Sequence, residues 1–124
     1  MHINESAEDY LESILMLQQQ KGTVRSIDIV RHMNYSKPSV SRAVHLLCDQ
    51  GHILMDRDGM ITLTDSGRAI AESMLERHRL LTHWLIKLGV SPAVAAEDAC
   101  RLEHDLSEET FRCMKNHIIS SKEP

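Results

Sequence analysis

At 124 residues the chain is long enough for one compact domain, or for two small ones sharing a core. Hydrophobic residues make up 42% and aromatics only 3%, so the core must be Leu, Ile, Val, Met and Ala, which favours helices over a β-sandwich. Three unevenly spaced cysteines (Cys48, Cys100 and Cys113) argue against a disulfide framework, no apolar run is long enough to span a membrane, and no signal-peptide pattern opens the chain; a cytoplasmic protein is expected.

The net charge of −4 speaks against nucleic acid until its distribution is considered. Residues 1–20 carry four acids and no Lys or Arg. Residues 21–64 carry six Lys or Arg against four Asp, a net of +2. Residues 65–124 carry eight against ten, a net of −2. The middle is the only basic segment. The flanking acids are either solvated charge or groups neutralised by bound cations.

From Ser6 to about Gln19, Tyr10, Leu11, Ile14, Leu15 and Leu17 make an apolar stripe of helical period. Ser6 is the expected N-cap, and Glu5, Glu8 and Asp9 suit the positive helix start. Asp9 and Glu12 read as ordinary helix-start charge, or as two carboxylates at i and i+3 aimed at one point. Lys21-Gly22 closes this helix.

Val24 to Met33 predicts a second, short helix. Asn34-Tyr35-Ser36 is a tight turn, and Ser36 with Pro38 opens a third helix reaching about Gln50. On it Val40, Ala43, Val44 and Leu47 face inward, and Ser39, Ser41, Arg42 and His45 outward. Two short helices about a tight turn, the second with a small, hydroxyl-rich, basic face, form a helix-turn-helix pattern. The second helix offers phosphate its free N–H groups, and Arg42 can reach a phosphate or a guanine edge. Gly51 stops that helix. His52 to Met55 and Met60 to Leu63 predict two strands about an Asp58-Gly59 turn, a wing with Arg57 at its tip. The expected DNA-contacting set is Arg25, Ser36, Lys37, Pro38, Ser39, Ser41, Arg42 and Arg57.

Thr64-Asp65-Ser66-Gly67 starts a long helix from Asp65 to about Leu88, with Ile70, Met74, Leu81, Leu85 and Leu88 as its stripe. Gly89 ends it. Ser91-Pro92 begins another, bearing Val94, Ala95, Ala99 and Leu102, and Ser107 to Thr110 begins a last one running to about Ile119. Ser120 to Pro124 reads as a frayed tail. Apolar faces around Trp84 to Val90 and around Phe111, Met114, Ile118 and Ile119 close on each other or on a second copy; a homodimer matching a two-fold operator is expected.

Within Cys100-Arg101-Leu102-Glu103-His104, residues 100, 103 and 104 share one helix face. An unpaired carboxylate on a buried face is very costly, so this face is solvated, salt-bridged or loaded with a divalent ion. With Asp9, Glu12 and His78 it makes six ligands of metal-binding type. Their mixed oxygen, nitrogen and sulfur chemistry suits a first-row transition ion rather than calcium. The remaining histidines are left to the surface or unassigned, and Cys48 and Cys113 are expected to be buried.

In order and motif the chain resembles the diphtheria-toxin-repressor family of metal-dependent transcriptional regulators, and more closely its manganese transport regulator branch. The resemblance rests on Ser6-Ala7-Glu8-Asp9-Tyr10-Leu11-Glu12, Ser36-Lys37-Pro38-Ser39-Val40-Ser41, Leu63-Thr64-Asp65-Ser66-Gly67, Glu76-Arg77-His78, Leu88-Gly89-Val90, and Glu103-His104 with Leu106-Ser107. It implies a mainly α chain: a winged helix-turn-helix DNA-binding domain over residues 1–66, with a small β-hairpin wing, then a helical dimerisation and metal-binding domain over 67–124, without the third domain some members carry. By position Asp9, Glu12, His78, Cys100, Glu103 and His104 fall on the family's metal ligands, and Glu12 and Glu103 can each serve two ions, so one or two ions per subunit are expected. Cys100 stands where the manganese branch has glutamate, and Asp9 where the iron branch has methionine. The implied function is repression of Mn or Fe uptake genes on binding Mn²⁺ or Fe²⁺, with Co²⁺ or Zn²⁺ as substitutes in vitro.

Two other readings stay open on residues alone. A winged-helix regulator could respond to a small ligand or to cysteine oxidation, its polar cluster being salt bridges with Arg77 or Arg101. A helical bundle with a two-metal carboxylate centre could be an enzyme, which would leave the basic hairpin and recognition helix without a role.

Overall fold

The computed structural model describes residues 5–120. Along them run α1 (Glu5–Lys21), α2 (Ser26–Met33), α3 (Lys37–Asp49), β1 (Ile53–Met55), β2 (Ile61–Leu63), α4 (Asp65–Lys87), α5 (Pro92–Asp105) and α6 (Glu108–Ser120). The chain divides into two compact units, with the boundary between Ser73 and Met74 inside α4.

In the first unit α1 packs on α2, α3 and β2, and α3 packs on β1. The stripe of α1 is buried as its period predicts, and so are Ile29 of α2, Val40, Val44 and Leu47 of α3, and Ile53 and Ile61 of the hairpin. Each such side chain contributes about 1.5–3 kcal/mol on burial, so this cluster carries most of the unit's stability. Tyr10 is buried edge-on against Tyr35, with ring centroids 5.9 Å apart, and burial pushes its phenol above the usual range. Ser6 is not the cap of α1; the helix is already running at Glu5, with Glu5 and Glu8 in its first turn.

Local signals end the helices where expected. Gly22 (φ +84°) and Asn34 (φ +59°) take the left-handed conformation, and their N–H groups return to Gln18 O and Val30 O at 2.8 and 2.9 Å. Ser36 Oγ accepts from Ser39 N at 3.2 Å, capping α3 with Pro38 in its first turn. Ser36→Ala is therefore expected to cost about 1 kcal/mol, lowering Tm by about 3–5 °C in thermal denaturation followed by circular dichroism. An unchanged Tm would mean that water replaces the cap without loss.

Val24 lies outside α2, contrary to the sequence expectation. Its carbonyl accepts Ile61 N at 2.8 Å, which holds it extended beside β2. Asp28 Oδ2 then accepts Arg25 N at 2.9 Å, and Lys21 pairs with Asp28. Lys21 and that N–H hold the Asp28 carboxyl below the usual carboxylate range.

The hairpin pairs Ile53 with Leu63, Leu54 with Thr62 and Met55 with Ile61. It is one residue shorter per strand than expected. His52 N is taken by Leu47 O at 3.0 Å, and Met60 N by the Asp56 carboxylate at 2.9 Å, so neither N–H joins the ladder. His52 is buried, with Nδ1 3.0 Å from Ser66 Oγ.

In the second unit Met74, Leu75, Leu81, Ala95, Ala99, Phe111 and Ile118 form the core. The expected α4 stripe is only partly inward. Leu88 is 62% exposed because the helix stops at Lys87 and Leu88 N closes a turn onto Trp84 O and Leu85 O. On α5 the small residues Ala95 and Ala99 face inward at i and i+4, while Val94 and Leu102 stay exposed. Ser91 takes the N-cap conformation ahead of Pro92 without a side-chain cap bond. Ser107 Oγ accepts from Thr110 N at 3.1 Å and caps α6. Cys113 is exposed, not buried as expected, since it faces away from the Phe111 and Ile118 side of α6. Cys48 is half-buried, and burial pushes its thiol up. The expected tail at residues 121–124 lies outside the described residues. Among those described, no helix is long and apolar enough to cross a membrane.

Candidate metal centre and recognition helix

The last turn of α5 places Cys100, Glu103 and His104 so that their ligand atoms lie within 4.8 Å of one another. This follows from the i, i+3, i+4 spacing alone. Glu103 is fully buried, and neither carboxylate oxygen accepts a hydrogen bond from the described residues. Its Oε1 faces His78 Nδ1 of α4 at 3.5 Å and His104 Nε2 at 3.9 Å. Buried carboxylates are ordinarily satisfied by donors, so this one needs another source of positive charge. Atoms bound about 2.1 Å from one transition ion stand about 3–4 Å from each other, so this spacing fits a shared cation. The His104 side chain is almost entirely buried and His78 largely so, whereas Cys100 is exposed.

In the first unit α1 sets Asp9 and Glu12 at i and i+3, with Asp9 half-buried and Glu12 buried. The structure thus divides the six expected ligands into two on α1 and four on α4 and α5.

Arg77 is the residue that sequence reasoning misses. The spacing offers it only as a salt-bridge partner, yet it is buried and one of its terminal nitrogens donates to Glu103 O at 2.9 Å and Leu106 O at 2.7 Å. Arg101, the other such partner, lies 3.6 Å from Asp98 on its own helix.

On α3, Ser36, Lys37, Pro38, Ser41, Arg42 and His45 are exposed. Ser39, expected outward, is half-buried, because its hydroxyl is held by Ser36 Oγ at 2.9 Å and by Arg42 at 3.4 Å. Arg57 is exposed at the hairpin tip, and Arg25 is exposed with its Nε 3.4 Å from Met60 Sδ. The exposed face of α3 is therefore basic and hydroxyl-rich, a surface suited to a phosphate backbone, whereas the hairpin tip sets Arg57 between the exposed Asp56 and Asp58.

Two family models cover the chain: "Iron dependent repressor, N-terminal DNA binding domain" over residues 2–59, and "Iron dependent repressor, metal binding and dimerisation domain" over residues 64–121. The transcriptional regulator MntR of Escherichia coli is 36% identical over 110 residues, covering 89% of this chain and 71% of that protein. An uncharacterised HTH-type transcriptional regulator, MJ0568 of Methanocaldococcus jannaschii, is 30% identical over 91% of this chain and 92% of its own length. Among solved structures, a manganese-dependent transcriptional repressor in complex with manganese superposes with a TM-score of 0.80 at 32% identity, over 90% of this chain. The chain spans 52% of that protein's chain, about half its length. These relatives are DNA-binding regulators rather than enzymes, and the chain belongs to the iron-dependent repressor family of metal-dependent transcriptional regulators.

Proposed function

We propose that the protein is a cytoplasmic, homodimeric repressor of Mn or Fe uptake genes whose grip on a two-fold DNA operator tightens when Mn²⁺ or Fe²⁺ binds. The observation that carries this is Glu103, buried between two imidazoles with no hydrogen bond to its side chain from the described residues. Asp9, Glu12, His78, Cys100, Glu103 and His104 would hold the ion, and Glu12 and Glu103 could each serve a second. Residues 1–66 read DNA and residues 67–124 bind metal and dimerise. Apolar side chains left exposed in the second unit, Ile86, Leu88, Val94, Leu102 and Ile119, support a partner copy there.

In this reading the carboxylates of Asp9, Glu12 and Glu103 would repel one another at a site lacking its cation, and α1 would be held loosely. A shared cation removes that repulsion and fixes α1, on which the recognition helix α3 packs. A coupling of about 1–3 kcal/mol between metal and operator is ordinary for such linkage. The hard carboxylate of Asp9 favours Mn²⁺ or Fe²⁺, and the thiolate of Cys100 favours Fe²⁺, Co²⁺ or Zn²⁺.

The test is anaerobic binding to random and selected duplexes, with the four ions titrated separately beside a chelator control. Metal-dependent tightening on a two-fold site is the expected result, and the order of ions reports whether Asp9 or Cys100 dominates. Tight binding regardless of metal would overturn the reading. In the same assay Arg42→Ala is expected to weaken operator binding about tenfold and to lower the salt slope by about one, with metal affinity unchanged. An unaltered salt slope would remove Arg42 from the phosphate contacts.

A further inference from the structure

α4 grips Glu103 at both ends. His78 faces its carboxylate at 3.5 Å, and the preceding residue, Arg77, donates to its main-chain oxygen at 2.9 Å. The same terminal nitrogen of Arg77 reaches Leu106 O at 2.7 Å, just past the end of α5. The guanidinium also lies over the Phe111 ring of α6, 5.1 Å from its centroid. One buried cation therefore joins α4, the last turn of α5 and the first turn of α6.

We propose that Arg77 is a positioning residue of the metal centre, holding the Glu103–His104 peptide so that both ligands are presented in binding geometry, and tying that geometry to α6. The inference rests on the metal reading of Glu103. The last carbonyls of a helix lack intrahelical partners and carry the negative end of its dipole, so they are natural acceptors for a buried guanidinium. The peptide linking Glu103 to His104 is planar, so a bond to its oxygen restricts the direction of both neighbouring Cα–Cβ bonds. The ligands are then set before a cation arrives, and the ordering cost of capturing it falls. The Phe111 ring face lies under the guanidinium and favours it there, a contact that a shorter, more strongly hydrated ammonium would not reproduce.

Arg77→Lys keeps the charge but cannot bridge two carbonyls while stacking on a ring. Arg77→Met keeps the length and removes the donors. Phe111→Leu leaves the arginine in place and removes the ring. Each is made in the full chain and compared with the unsubstituted protein by anaerobic Co²⁺ titration, reading the dissociation constant and the visible d–d absorption, with helix content followed by circular dichroism. The expected result is Co²⁺ affinity about 10–100-fold weaker in both Arg77 variants, with an altered d–d spectrum and retained helix content. Phe111→Leu shifts affinity a few-fold in the same direction, and it decides the matter should Arg77→Met fail to fold. Wild-type affinity and spectrum in the folded variants would overturn the positioning role and leave the metal reading standing. Absence of Co²⁺ binding by the unsubstituted protein would overturn the metal reading and this inference with it.

Discussion

Glu103→Gln is expected to abolish the metal response while leaving the metal-free protein at least as stable as before. The substitution keeps shape and volume and removes one negative charge. Glu103 is fully buried and accepts no hydrogen bond from the described residues, so its side-chain oxygens are unsatisfied. Replacing an unsatisfied buried charge with a neutral group is neutral or stabilising. With metal the sign reverses. Losing a partner outside the ligand set ordinarily costs 10–100-fold in affinity, so loss of the central ligand should cost about 100-fold or more. At a free-ion concentration 100 times its dissociation constant, the unsubstituted protein gains about 2.7 kcal/mol of stability from binding, and Glu103→Gln at the same concentration gains under about 0.5 kcal/mol. Thermal denaturation with and without Mn²⁺ therefore gives a crossed pattern: a variant equal or superior without metal and inferior with it. Parallel loss in both conditions would make Glu103 a purely structural residue. Metal-dependent operator binding as tight as that of the unsubstituted chain would overturn the repressor mechanism itself.

Much of the DNA-binding unit was legible because its punctuation is local. Gly22, Asn34, Ser36 with Pro38, and the Asp58-Gly59 pair each act through their own backbone or a neighbour within four residues, and the structure puts a helix end, a cap or a turn at each. The α5 half of the candidate site was legible for the same reason, since i, i+3 and i+4 on a helix share a face wherever the helix goes. What was not legible depends on partners far along the chain. Val24 reads as helical until Ile61, 37 residues on, takes its carbonyl. His52 reads as a surface histidine until α4 covers it. Arg77 shows the same limit most clearly: its acceptors are main-chain oxygens 26 and 29 residues away, and a carbonyl has no sequence signature. Leu88 and Cys113 show the converse, apolar or soft side chains whose period carries them past the end or onto the outer side of a helix.

Gly67→Ala is expected to be the most damaging single-methyl change in the DNA-binding unit. Two effects oppose each other there. Gly67 lies in the first turn of α4, where alanine is the better helix former by about 1 kcal/mol. Against that, a Cβ at this position would stand 1.9 Å from His52 O and 2.9 Å from His52 C, both main-chain atoms. Neither is the flexible end of a side chain, so relief requires the start of the wing to move away from α4. That start is already committed: His52 O accepts Thr64 N at 3.1 Å, Gly51 O accepts Thr64 Oγ1 at 2.7 Å, and Gly67 N donates to Thr64 Oγ1 at 3.2 Å. Moving His52 breaks part of this network. Overpacking costs up to about 3 kcal/mol even where side chains can yield, so the clash outweighs the propensity gain and a net loss of about 2–3 kcal/mol is expected, lowering Tm by about 10 °C. Ala69→Gly, at an exposed position in the same helix, is the control; it should cost only about 1 kcal/mol, because propensity alone acts there. Because His52 leads directly into β1, the same displacement shifts Arg57 at the hairpin tip, and operator affinity at low temperature should fall even where the protein remains folded. A Gly67→Ala protein with unchanged or raised Tm would show that the wing can slide over α4 at little cost, and that the close approach at Gly67 does not set its position.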